Sequence, residues 1–205
     1  MICEDGSFYA FNVKYAAEPE KLNIEMQDFL APTAGRLPSN RSDIYFKELG
    51  SESPILVKLI MQSIYQSDKR RIKHIGAQQF GMKFLLRGLY AHNGLFYFYT
   101  RIDNDTNTPF AVDFVTFKEV DKKVAKRTAM QEQVLHPLRA YHQLLEVKAN
   151  NHERGVFVLE QFSLSQDKEL QVTLYERGGG RTLSFSLDQE DLLLAQKIDK
   201  LKLKW

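Results

Sequence analysis

The chain has 205 residues, of which 43% are hydrophobic, 26% charged and 12% aromatic, with a formal net charge of +2. That length suffices for one good core or two small ones, and a charge so near zero gives no support for a surface that is basic throughout, as nucleic-acid binding across the whole protein would need. A single cysteine, Cys3, rules out an intrachain disulfide and a cysteine-based metal site, and no run of about 18 apolar residues is present to cross a membrane as a helix.

The opening MICEDGSFYAF has neither the positive segment nor the apolar run of a signal peptide. It reads as a chain entered in mid-domain, with an Asp5-Gly6 turn ahead of a strand carrying Phe8, Phe11, Val13 and Tyr15. A lone strand pair is marginal in water, so residues 1–17 are expected to be the remnant of an N-terminal β domain. Residues 18–52 hold Pro19, Pro32, Gly35, Pro38 and Gly50 and read as a linker or arm, with a short helix near 21–29. Residues 53–72 are the clearest helix. Ser53 is placed to cap it, Pro54 stands at its first position, and Leu56, Ile60 and Ile64 recur at helical spacing beside Val57 and Met61. Lys69, Arg70 and Arg71 follow. The plainer reading is that they close the helix against its dipole; the sharper one is contact with a phosphate or an acidic partner.

From about residue 78 the period becomes two, with Phe80, Met82, Phe84 and Leu86 alternating with mostly polar or small residues. Asn93-Gly94 is a hairpin turn. The strand after it carries Leu95, Tyr97 and Tyr99 on one face and Phe96, Phe98, Thr100 and Ile102 on the other, so it is expected to be covered on both sides. A turn cluster over 103–109 leads to a strand with Phe110, Val112, Phe114 and Thr116 on one face and Val115 and Phe117 on the other. A more polar strand is expected over 124–135, its start guarded by Lys122, Lys123, Lys126 and Arg127. Residues 141–147 read as a short strand or a turn of helix and 150–155 as a loop. Three short strands follow at 156–164, 170–175 and 182–187, and then a helix over 188–201 capped by Asp188, with Leu192, Ala195 and Ile198 at helical spacing. The fold class is mainly β: an antiparallel β-sandwich over 73–205, immunoglobulin-like or similar, with one or two flanking helices.

The chemistry-bearing residues are sparse. His74, His92, His136, His142 and His152 do not fall at metal-ligand spacing, and no nucleophile elbow is present. Arg177-Gly178-Gly179-Gly180-Arg181 has no GK[ST] ending and runs into a strand, so it reads as a hairpin turn whose arginines can meet a partner carboxylate. Asp103 and Asp105 suit turn chemistry better than calcium, and the acids after Asp188 suit a helix start. No cofactor, metal or catalytic set is expected. The candidate partner contacts are Lys69, Arg70, Arg71, Asp103, Asn104, Asp105, Asp121, Lys122, Lys123, Arg177 and Arg181.

The stretch RIDNDTNTPFAVDFVTFKEVDKKVAKRTAMQE, with Asn104, Val112, Asp113, Phe114, Phe117, Asp121, Lys122, Lys123, Lys126, Arg127, Thr128, Ala129, Gln131 and Glu132, resembles the signature of the TraN proteins of Bacteroidales conjugative transposons. ICEDGSFYAFNVKYAAEPEKLNIEM, FVLEQFSLSQDKEL and ERGGGRTLSFSL are similar in the same order. More distantly the family is similar to the TrbG and CagX subunits of type IV secretion cores. The resemblance implies a non-enzymatic assembly subunit of a conjugative DNA-transfer apparatus, periplasmic or outer-membrane-associated. It implies partners among the other envelope subunits, including a lipoprotein and an inner-membrane-spanning protein, a homo-oligomer in the assembled apparatus, and no direct contact with nucleic acid. The alternative from the residues themselves is a glycan- or peptide-binding sandwich using rings such as Tyr97, Tyr99 or Tyr141.

Overall fold

In the computed structural model of the protein, the described residues are 49, 52–122, 132–142 and 144–198. The expected N-terminal remnant, nearly all of the arm, and the basic run Lys123, Lys126 and Arg127 lie outside them.

Helix α1, Pro54–Ser67, forms as its spacing predicts, with Pro54 at the start and Ser53 in an extended N-cap conformation, although the serine side chain makes no capping bond. A helix of this length is marginal by itself in water. Val57, Ile60, Met61 and Ile64 are buried on one face, and four such side chains contribute on the order of 6–12 kcal/mol before entropy losses. Tertiary packing therefore holds α1. Its end differs from expectation. The C-cap is Asp68 in the left-handed region, φ 45°, and no basic residue lies in the last turn; Lys69, Arg70 and Arg71 follow the helix instead of closing it.

The first sheet takes β1 (Gly76–Gln79), β2 (Met82–His92), β3 (Leu95–Asn104), β8 (Asn151–Glu160) and β6 (Arg139–Tyr141), neighbours in that order and all antiparallel. The second takes β10 (Thr182–Leu187), β9 (Lys168–Glu176) and β4 (Phe110–Asp121), with both β5 (Gln133–Leu135) and β7 (Glu146–Val147) on the far edge of β4. A short strand, β11 (Gln196–Lys197), lies parallel to the end of β2. The two sheets make the β-sandwich. Its core holds Phe84, Leu86, Phe96, Phe98, Phe110, Phe117, Leu170, Val172, Leu174, Leu183 and Phe185. A second core between α1 and the outer face of the first sheet holds Tyr90, Leu95, Tyr97, Tyr99, Val156 and Val158.

Strand β3 is buried without interruption from Leu95 to Thr100, as its two apolar faces predict. The Asn93-Gly94 turn has the expected positive φ values, 42° and 78°. Several other expectations shift. Phe80 is no strand residue: with Gly81 it forms a second positive-φ turn, φ 56° and 69°, joining β1 to β2, and its side chain is half exposed. On β4 a register shift between Val112 and Val115 moves the pleat by one residue. Phe110, Val112 and Phe117 therefore share the core while Phe114 faces outward. The expected loop over 150–155 shrinks to the turn at Asn150, because Asn151 to Gly155 pair with Asn104 to Thr100. Of the strand expected over 124–135, residues 132–135 are described, and Gln133–Leu135 form strand. The C-terminal helix is cut to α2, Gln189–Leu193, after which β11 takes over. Asp188 does cap α2, in a capping box with Asp191.

Phe98 is fully buried and meets Phe117 edge-on, ring centroids 5.4 Å apart. Phe98→Ala is expected to cost about 3–5 kcal/mol, read as a fall in the urea midpoint. Leu193→Ser, at a residue 74% exposed, should stay within about 0.5 kcal/mol of the parent.

Candidate functional site

The residues singled out from the sequence fall into three places. At one end of the sandwich the β3–β4 loop meets the β9–β10 turn. Asn104 is fully buried; its Nδ2 donates to the carbonyls of Thr108, Val147 and Lys148 at 2.8, 3.1 and 3.2 Å, and its Oδ1 accepts from the Thr106 amide and hydroxyl. Asp103 pairs with Arg101 at 2.6 Å and Asp105 with Lys83 at 2.6 Å. Arg181 bonds both carboxylate oxygens of Glu176, donates to the Pro109 carbonyl at 3.0 Å and stands 5.1 Å from the Phe110 ring. The Arg181 hydrogen bonds outweigh the cost of burial and hold the Glu176 carboxyl below its ordinary range. Arg177 donates from its guanidinium to the Val112 carbonyl at 3.3 Å and from its backbone to Ala111 at 2.8 Å. These groups tie two loops to each other.

Asp121 and Lys122 stand at the opposite end of β4, where the Lys122 amide donates to the Asp167 carbonyl at 2.8 Å. A strand of 12 residues spans roughly 36–40 Å at about 3.3 Å per residue, so the two ends of β4 do not share a site. Lys123 lies outside the described residues.

The third place is where the chain leaves α1. Asp68 Oδ1 accepts from the Tyr99 hydroxyl at 2.5 Å and from Arg154 Nη1 at 2.9 Å, and Arg87 Nη2 donates to the Asp68 carbonyl at 3.1 Å. The Arg154 guanidinium also lies 4.4 Å from the Tyr65 ring. Burial works to raise the Asp68 carboxyl, but hydrogen bonds from Tyr99 and Arg154, with the charges of Arg87 and Arg154, hold it below its ordinary range. Burial, with the Asp68 hydrogen bond, pushes the Tyr99 hydroxyl up to about 12. Sequence reading missed this group. Its signals were an acid directly after the helix and a lone arginine, Arg87, inside an apolar strand.

Beyond Asp68 the exposed residues Lys69 to Arg71 run onto the edge of β2. The Arg71 and Ile72 amides both donate to the Arg87 carbonyl, at 2.7 and 3.0 Å, and the Leu86 amide donates to the Ile75 carbonyl at 3.2 Å. β11 pairs Gln196 with Tyr90 farther along. Between these segments is a pocket of about 160 Å³ lined by Arg71, Ile72, His74, Leu89, Asp191, Leu194 and Gln196. His74 Nε2 lies 3.4 Å from Asp191 Oδ1, and Asp191 is fixed by its part in the α2 capping box. Among the described residues, no group of three or more His, Cys, Asp or Glu side chains is arranged to hold a metal. Tyr97 and Tyr99 are fully buried under α1, and Tyr141 is half-buried against Tyr65 at 5.4 Å. The rings considered for a glycan platform are thus core residues in two of three cases.

The described residues define a mainly β, two-sheet sandwich domain with a helix laid on one outer face and its chemistry placed at loop ends and strand edges. A family described as a domain of unknown function, DUF4138, matches residues 54–197, and the chain belongs to it. Comparison with curated proteins gave no match.

Two outcomes follow from the geometry. Asn104→Ala strands three carbonyls and two Thr106 donors and is expected to cost about 2–4 kcal/mol, read by urea denaturation. Asp68 has a folded pKa below its unfolded value of about 3.9, so its contribution to stability is present above about pH 4 and fades as pH falls through the lower folded value. Asp68→Asn should therefore be less stable than the parent at pH 7. The gap between their urea midpoints should narrow as pH drops below about 4.

Proposed function

We propose that the protein is a TraN-like assembly subunit of a conjugative type IV secretion apparatus, working without a reaction of its own as a scaffold for other envelope subunits. The observation that carries this reading is the order and spacing of the motifs. The segment around Asn104 to Glu132, then 157–170, then 176–187, occur in the arrangement that resembles the TraN signature, and all three fall within the matched span 54–197. The use of these residues agrees with it. Asn104, Arg177 and Arg181 hold loops together, as a rigid scaffold needs. The periplasm or the outer membrane is the proposed place of work, with a lipoprotein and an inner-membrane-spanning subunit as the proposed partners.

The test is made in cells that carry a transferable element encoding this protein. Deleting its gene should abolish DNA transfer to recipients, and the tagged full-length protein should bring down other envelope subunits of the apparatus after mild detergent extraction. Undiminished transfer in the deletion strain, with none of those subunits recovered, would sink the proposal.

A further inference from the structure

The segment after α1 and the segment after α2 come from opposite ends of the described chain and meet along one edge of β2. From the first come Lys69, Arg70, Arg71, Lys73 and His74, all exposed; from the second come exposed Lys197 and Leu194, 78% exposed, next to Leu193, the last residue of α2, at 74%. For a chain whose whole net charge is +2, this is a local concentration of cations. The acids nearby, Asp188, Glu190 and Asp191, stand at the start of α2, with Asp191 bonded to His74 and to the Asp188 amide, whereas the strip from Lys69 to Lys73 carries four cations and no acid of its own. Arg70 turns back on its own segment, donating to the carbonyls of Ile72 and Lys73 at 3.2 and 3.0 Å. It props the backbone that displays Lys69 and Lys73 and holds Arg71 at the pocket beside Tyr90.

We infer that this surface docks an extended acidic segment of a partner protein, with one aliphatic side chain of that segment seated between Ile72, Leu89 and Leu194. The charge of the strip selects the acids. The pocket, at about 160 Å³, is smaller than the roughly 300–1,000 Å³ of small-molecule sites and suits a single side chain. Its wall of Ile72, Leu89 and Leu194 is apolar, and its rim of Arg71, His74 and Gln196 is polar, the usual division between anchor and specificity. The strip is pinned to β2, its Arg71 and Ile72 amides donating to the Arg87 carbonyl and the Ile75 carbonyl accepting from the Leu86 amide, so little ordering entropy is lost on docking. An anionic lipid surface is the less favoured occupant. The apolar element is concave, and Asp191 and Gln196 in its lining would lose their hydration against a bilayer. The inference does not depend on a role in conjugation.

The probe is a short fluorescein-labelled peptide of glutamates and aspartates around one central leucine, titrated with the full chain by fluorescence anisotropy. Binding should weaken about ten-fold or more when Arg71→Glu and Lys73→Glu are combined. It should weaken several-fold in Leu194→Ser and when the peptide's leucine becomes serine, and it should fall as salt is raised. Lys148→Glu, at an exposed residue beside the Asn104 loop, should leave binding unchanged, and urea midpoints should show that each variant folds. The inference is overturned if neither variant of the strip and pocket weakens binding, or if Lys148→Glu weakens it equally. It is also overturned if the leucine makes no difference, or if phosphatidylglycerol vesicles capture the chain while the peptide does not.

Discussion

The constraint on which the structure depends is that β3 is apolar on both faces. Phe96, Phe98 and Ile102 enter the core between the sheets, while Leu95, Tyr97 and Tyr99 enter the core beneath α1. A strand with two buried faces cannot be satisfied by one packing layer. It needs the second sheet on one side and a cover on the other, and α1 is that cover. The aromatic rings make this demand large, because each buries an area worth several kcal/mol. They also bring hydroxyls into the helix–sheet layer, and the outcomes differ. Tyr99 finds Asp68 and Arg154 at the rim, whereas the Tyr97 hydroxyl is buried with no hydrogen-bond partner among the described residues.

Polar residues then finish what apolar burial starts. Burial fixes which face of α1 meets the sheet but leaves its C-terminal end free to splay. Asp68, placed by its left-handed backbone, accepts from Tyr99 on β3 and Arg154 on β8, while its carbonyl accepts from Arg87 on β2. One residue thus joins the helix end to three strands. Asn104 does the same at the other end of β3, tying the β3–β4 loop to the chain around β7. Both sites are costly to break for the same reason: removing the hub leaves several buried or half-buried groups unpaired.

What was legible in the sequence follows from where the signal is local. The periodicity of α1, the Asn93-Gly94 turn and the two faces of β3 are written in adjacent residues, and all three stand in the structure. The sandwich itself was legible for the same reason, through strand spacing. The departures are places where pairing partners distant in sequence decide the outcome. Asn151 to Gly155 are polar and loop-like on their own terms and become strand because β3 offers them a ladder. Phe114 belongs by strict alternation to the core face, and the shift after Val112 turns it outward. The apolar spacing after Asp188 fits a helix, yet β2 has an open edge that takes Gln196 and Lys197 as a strand. Of the candidate contacts, Asn104 and Arg181 make their bonds within the domain, to carbonyls that lie far off in the sequence.

The same dependence on an unseen irregularity sets up the basic surface. In β2 the register shifts between Leu86 and Gly88, which makes Arg87 the extra residue of a bulge. A bulged residue leaves the regular ladder, and the Arg87 carbonyl is taken by the Arg71 and Ile72 amides while its guanidinium turns to Asp68. Gly88 beside it is required by space, since a Cβ there would lie 2.8 Å from the buried Tyr90 ring. The bulge thus brings the chain after α1 down onto the edge of β2, between β1 and β11, and so decides that Lys69 to His74 line a fixed edge beside Leu194 and do not hang from the helix end. Arg87, the lone arginine in a largely apolar strand, was the one visible trace of that arrangement. Its meaning depends on Asp68, nineteen residues earlier at the end of α1, which periodicity does not report.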